Sequence, residues 1–226
     1  MQATLQKIHS THLQRRTDCI KSMDPQVLRS ILKWPEVHHC FGWLALDRRG
    51  QWRMRDEYSQ QNQLPGNVIR HEALNECIGR NYACDASGRY FFQNGPQRVF
   101  ITLDAAPWIL RLMPDSSDLK LLTQCQSIFT AQGALSDESG NIYISGLVEQ
   151  TFYEEDQDLP FSKKECLSLA LLHDHDLGIF SELAQVQESA CSFKGSWKWH
   201  GKELPIDPIH SDELAKQFHF VLRPTD

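Results

Sequence analysis

The sharpest polar cluster in the chain is His173-Asp174-His175-Asp176. Imidazole and carboxylate together are donors that zinc or iron takes when they converge on one point. The backbone beneath them decides whether they do. On a strand, His173 and His175 share a face and both reach one ion; on a helix they diverge by about 200°. The cluster lacks H-E-x-x-H spacing and any paired motif, so a further ligand has to come from His38, His39, His71, His200, His210 or His219. The competing reading makes the segment a polar connection in which Asp174 or Asp176 caps the next helix. His38-His39-Cys40 is a weaker case, because adjacent residues of an extended chain face opposite ways.

Two other groups carry recognition chemistry. Arg48, Arg49, Arg53 and Arg55 surround Trp52, and arginine beside an aromatic ring can grip phosphate or a stacked base. Asp47, Asp56 and Glu57 dilute that charge. Trp197 and Trp199 share one strand face and line either a pocket or a core. Arg98, Phe100 and Thr102 form one face of another strand, opposite Val99 and Ile101. We take Arg98, Phe100, Trp197 and Trp199 as the candidate ligand-binding set and His173 and His175 as the candidate metal set. No catalytic residue is assigned: the chain has no G-x-S-x-G, phosphate loop or dinucleotide fingerprint.

The elements that position these residues are legible in part. "MDPQVLRSILKWP" predicts a helix, with Asp24 as its cap, Pro25 in its first turn and Pro35 past its end. Asp47, Asp85 and Asp137 each begin an Asp-x-x-Gly turn between stretches of period two. Their unequal intervals exclude a regular repeat, and their oxygens are too sparse for a calcium loop. "IRHEALNECIG" predicts a short helix, and Asn94-Gly95 a second type of hairpin turn. "MPDSSD" is the best boundary between units, and "YEEDQD" reads as a solvated acidic loop. Ser162 and Glu165 have capping-box spacing, whereas "CLSLALL" fits a buried strand, so helix and strand both stay open there. "DLGIFSELAQVQE" reads as helix and "SFKGSWKWHGKELPI" as a hairpin.

Bulk properties set limits. The chain has 226 residues, 41% hydrophobic and 23% charged, with a net charge of −6. This is ordinary globular composition, and the acidic balance argues against a nucleic-acid binder. Seven cysteines without C-x-x-C spacing point to a reducing compartment. The N-terminal residues lack the apolar core of a signal peptide, and no window suits a membrane span. The expected location is the cytoplasm.

Three stretches together carry a resemblance: "ALDRRGQWRMRDE", then "IRHEALNECIGRNYACDASGRYFFQNGPQRVFITLDAAPWIL", then "SWKWHGKELPI". Their order of Asp-x-x-Gly-x-Trp, short helix, second aspartate turn, Arg-Val strand, "DAP" segment and aromatic hairpin is similar to a proteobacterial family. It is named only as domain of unknown function twelve-eighty-five; the alternative is a sister family, equally uncharacterised. The resemblance covers residues 43–110 best. It implies two small roll-like α+β units and supplies no catalytic residues. The chain departs from that pattern in its longer N-terminal helical region, in "QNGPQ" and in "HDHD".

The resulting expectation is an α+β protein of two small mixed roll-like units with antiparallel hairpins. Residues 1–36 form an N-terminal helical segment, 37–113 the first unit and 114–226 a β-rich second unit. The leading function is a non-enzymatic accessory module that binds a small molecule or protein, with no membrane partner. The alternatives are a metal-dependent enzyme using His173 and His175, and phosphate or single-strand recognition by the Arg48–Arg55 hairpin. Which cofactor is used, if any, is not legible.

Overall fold

A computed structural model describes residues 23–34, 37–116, 118–154, 161–189 and 192–226. The first 22 residues of the expected N-terminal helical segment lie outside the described residues, as do Pro35, Cys191 and most of the acidic run at 153–158.

Helix α1 (Pro25–Lys33) forms where its cap predicts. The Asp24 carboxylate accepts the Gln26 N–H at 2.9 Å, and Pro25 occupies the first turn. The first hairpin pairs β1 (Cys40–Leu46) with β2 (Trp52–Met54), Leu46 facing Trp52. Helix α2 (Glu57–Gln61), the two-residue β3 (Asn67–Val68) and helix α3 (Glu72–Arg80) follow. Then come β4 (Tyr82–Asp85), β5 (Tyr90–Asn94), β6 (Gln97–Leu103) and β7 (Trp108–Asp115). Next is β8 (Asp118–Thr123), antiparallel to β7 with Asp115 opposite Asp118.

Beyond it run β9 (Ile128–Ser136), β10 (Ile142–Tyr153) and β11 (Phe161–Leu172). A single 3₁₀ turn at Asp174–Asp176 leads into α4 (Leu177–Leu183). The chain then forms β12 (Ala184–Ser189), β13 (Ser192–Trp199), β14 (Lys202–Pro208) and α5 (Leu214–Gln217).

The fold class differs from the expectation. The strands do not form two small roll-like units. They make one mixed sheet of fourteen strands, with only short helices around it. Two parallel pairings cross between the halves of the chain: β10 with β4, Phe152 facing Cys84, and β11 with β7, Leu171 facing Ile109. Local hairpin signals cannot reveal such pairings. The β11–β7 pairing is apolar on both faces; Trp108, Ile109 and Leu110, like Ala170, Leu171 and Leu172, are buried without a break. Strands β7 to β11 also close on themselves. β7 pairs with β8, β8 with β9, β9 with β10, β10 with β11 and β11 with β7.

The open choice at residues 163–172 resolves as strand. β11 runs in register with β10 from Tyr153–Phe161 to Tyr143–Leu171, and that ladder outweighs a local capping box. The helix expected through Glu188 ends at Leu183, where Ala184 begins to pair with Trp197.

All three aspartate turns have one geometry. Asp47 Oδ1 accepts the N–H groups of Arg49 and Gln51, each at 2.9 Å. Asp85 Oδ1 takes those of Ser87 and Arg89 at 3.0 and 2.9 Å, and Asp137 Oδ1 those of Ser139 and Asn141 at 3.0 and 2.8 Å. The remaining oxygen receives Arg53, Arg89 or the Asn141 amide. A fourth copy joins β8 to β9 without the motif. Thr123 Oγ1 accepts the Ser127 N–H at 3.1 Å, and Gln126 adopts φ 62° where the others have glycine.

Gly88 and Gly140 have φ of 76° and 77°, but a Cβ on Gly88 would sit 2.3 Å from the His219 carbonyl oxygen, while Gly140 faces open space. Gly140→Ala therefore costs about 1 kcal/mol, the left-handed penalty alone. Gly88→Ala costs about 3 kcal/mol, because the C-terminal tail must also move. Urea denaturation of the two variants measures the difference.

Candidate functional site

Three of the four turns meet at one end of the sheet. The Asp47–Gly50 turn is the link between them. Arg48 Nη2 donates to Asn141 Oδ1 in the third turn at 2.6 Å. Arg49 Nη2 lies 3.4 Å from Asp174 Oδ2. The backbone at Gly50 packs against Ile109 and Gln124, beside the fourth turn. The second turn goes elsewhere: Gly88 receives the Val221 N–H and holds the C-terminal tail.

The arginine hairpin is thus divided in its work. Arg53 Nε donates to Asp47 Oδ2 at 2.7 Å and Arg55 Nε to the Leu64 carbonyl at 3.1 Å, so both brace their own loops. Trp52 is core, edge-on to Tyr82 with ring centroids 5.5 Å apart. Arg48 and Arg49 are exposed at the tip and are the pair that reaches other elements.

Residues 173–176 leave the end of β11 and are tied back to β7 at two points. His173 N–H donates to the Leu110 carbonyl at 3.0 Å, and Leu112 N–H donates to Asp176 Oδ2 at 3.0 Å. Arg111 adds Nε to Asp176 Oδ2 at 2.7 Å and Nη2 to Oδ1 at 3.3 Å. Hydrogen bonding from Asp176 raises the Arg111 pKa further. Asp176 is therefore a buried anchor; its carboxylate makes no cap bond to α4.

The two imidazoles face each other edge-on, with centroids 4.7 Å apart. His173 is buried and His175 exposed. Burial, aided by Arg111 and His175, holds the His173 pKa below the ordinary 6.5 against the opposite pull of Asp174 and Asp176. His173, Asp174 and His175 each offer a ligand atom within 4.8 Å of the others, the one such group among the described residues. The third member is Asp174, not one of the distant histidines. His71 instead caps α3, its Nδ1 accepting the Leu74 N–H at 3.2 Å, and His200 Nδ1 sits 3.0 Å from Asp118.

The set expected to bind ligand lies in packed surroundings. Phe100 is buried with Phe91, Ala83 and Phe161 under α1, stacked on Phe41 at 4.6 Å. Arg98 stacks on Tyr153, its guanidinium carbon 4.0 Å from the ring centroid. Trp197 and Trp199 belong to the other core cluster, 5.0 Å apart, with Phe180 against Trp197 at 5.1 Å. The structure thus separates Arg98 and Phe100 from the tryptophan pair. It joins instead two groups that the sequence presents apart, Arg48–Arg49 and His173–His175. Position along the chain holds no signal for that; only the charge complementarity of the two segments does.

The two ion pairs of this end differ in depth. Arg111→Met leaves the Asp176 carboxylate buried with one N–H partner. It costs about 2 kcal/mol, less than a fully buried pair because Arg111 is half exposed. Arg49→Ala, which removes the exposed pair to Asp174, leaves the unfolding midpoint nearly unchanged. Chemical denaturation of both variants tests this ranking.

No curated protein matches the chain. A solved structure that does match is a DUF1285 family protein from Silicibacter pomeroyi DSS-3. It is 12% identical with a TM-score of 0.40, and the match covers 74% of this chain and 80% of that one. No helix among the described residues is long and apolar enough to cross a membrane. A family profile matches residues 23–225, nearly the whole chain, and on that match the chain belongs to the DUF2944 family, described as a protein of unknown function (DUF2946).

Proposed function

We propose that the chain is a non-enzymatic binding module whose ligand is a small molecule bearing acidic oxygens, taken at the turn end by Arg48 and Arg49. The observation that carries this reading is the 3.4 Å approach of Arg49 to Asp174. It sets Arg49, next to the exposed Arg48, against the His173-Asp174-His175 cluster, the one group among the described residues whose imidazole and carboxylate donors converge. Guanidinium groups recognise carboxylate and phosphate through paired N–H donors. Arg48 is already oriented by Asn141 and Arg49 by Asp174, so part of the ordering cost is met before a ligand arrives. Arg98, Phe100, Trp197 and Trp199 enter this reading as packing residues rather than as ligand contacts.

Pyrophosphate and citrate serve as probes, one for phosphate oxygens and one for carboxylates. Isothermal titration is expected to show saturable binding of at least one. Affinity should weaken as salt rises, because the arginines are solvent-exposed. It should fall about tenfold in Arg49→Ala, the loss of one charge-assisted contact, and further in the Arg48→Ala, Arg49→Ala double variant. Binding of neither probe, or equal affinity in the double variant, removes the reading.

A further inference from the structure

We infer that His173, Asp174 and His175 hold a divalent transition-metal cation, of the zinc or ferrous class, at the edge of this site. The inference deepens the binding reading above, since the acidic ligand would then meet both the ion and Arg48–Arg49; the metal itself does not depend on that ligand.

The first argument is placement. His173 Nδ1 lies 2.8 Å from Asp174 Oδ1, and His175 Nε2 lies 3.9 Å from the same oxygen. A tetrahedral shell of bonds near 2.1 Å puts neighbouring donors about 3.4 Å apart. The observed separations bracket that value, and Asp174 and His175 are exposed enough to adjust by rotating their side chains. His173, the buried member, is fixed by its backbone bond to Leu110.

The second argument concerns protons. His173 Nδ1 faces two partners with opposite demands: the His175 backbone N–H at 3.1 Å and the Asp174 carboxylate oxygen at 2.8 Å. A bare Nδ1 suits the N–H but sets its lone pair against the carboxylate. A protonated Nδ1 suits the carboxylate but opposes the N–H. A cation shared by the nitrogen and the oxygen removes the clash of their lone pairs, because both then point at positive charge; like a proton on Nδ1, it takes the nitrogen's single lone pair from the His175 N–H, which must turn to another acceptor.

The third argument is chemical type. Two imidazoles and one carboxylate suit zinc, iron, cobalt or nickel, whereas magnesium and calcium favour all-oxygen sites. Three protein donors leave at least one position open. Arg49 already lies against the other oxygen of Asp174, which leaves Oδ1 for the ion.

The test uses the full chain without a histidine tag, stripped by chelator and dialysed. Isothermal titration with zinc sulfate, no acidic ligand present, should show one zinc per chain and no magnesium binding. Asp174→Asn and His175→Ala should each weaken zinc by at least about tenfold. Both positions are exposed, and thermal denaturation without metal confirms that the variants stay folded. Absent or substoichiometric zinc binding overturns the inference and leaves a proton between His173 and Asp174. So does zinc binding that both variants retain, or magnesium binding of equal strength. Zinc binding with no uptake of pyrophosphate or citrate upholds the metal and removes the acidic-ligand reading; the reverse result does the opposite.

Discussion

Strand β10 is paired along almost its whole length on both edges, and the architecture hangs on that constraint. One edge carries β11 from Tyr143 to Tyr153. The other carries β9 from Ile142 to Val148 and then β4 from Thr151 to Tyr153. Buried backbone donors and acceptors must be paired, so a twelve-residue strand in the interior needs this many neighbours. Gly146 shows how tight the arrangement is: a Cβ there would lie 2.2 Å from the Thr130 carbonyl oxygen. From β10 and β9 the two arms of the sheet extend, β4 to β3 on one side and β14 to β12 on the other.

The candidate site follows from where those arms end. Ring closure by β7 and β11 sets the end of β11 beside Leu110 and Leu112, which tie down residues 173–176. The first hairpin reaches the same place because β1 lies parallel to β6, Leu46 beside Leu103, with its turn at the far end. The first and third turns are each stiffened by a buried aspartate, Asp47 or Asp137, whose oxygens are filled by its own loop, and the fourth by Thr123. The exposed arginines therefore project from a rigid base, which is what recognition of a small ligand requires.

Much of the local structure was legible. The cap and proline around α1, the three aspartate turns, α3 and the Trp197–Trp199 hairpin are all where residue chemistry puts them, because each depends on contacts a few residues apart. The fourth turn was not legible: threonine and a left-handed glutamine replace aspartate and glycine at Thr123 and Gln126. Nor was the extent of α4, whose polar continuation Ala184–Ser189 has no strand signal until β13 pairs with it.

The division has one physical origin. The sequence by itself determined the three aspartate turns, the cap of α1 and the residue types able to bind metal or anions, since these rest on bonds within a few residues. Only the tertiary structure decided that the halves share one sheet, that residues 163–172 are strand, and that Asp174 joins His173 and His175. It also decided that Arg49 faces them. Those outcomes rest on pairings between residues far apart in the chain, such as Arg49 with Asp174 and Trp108 with Ala170. Such pairings are selected by the burial of both faces of parallel strands and by charge complementarity in space, neither of which has a local period to read.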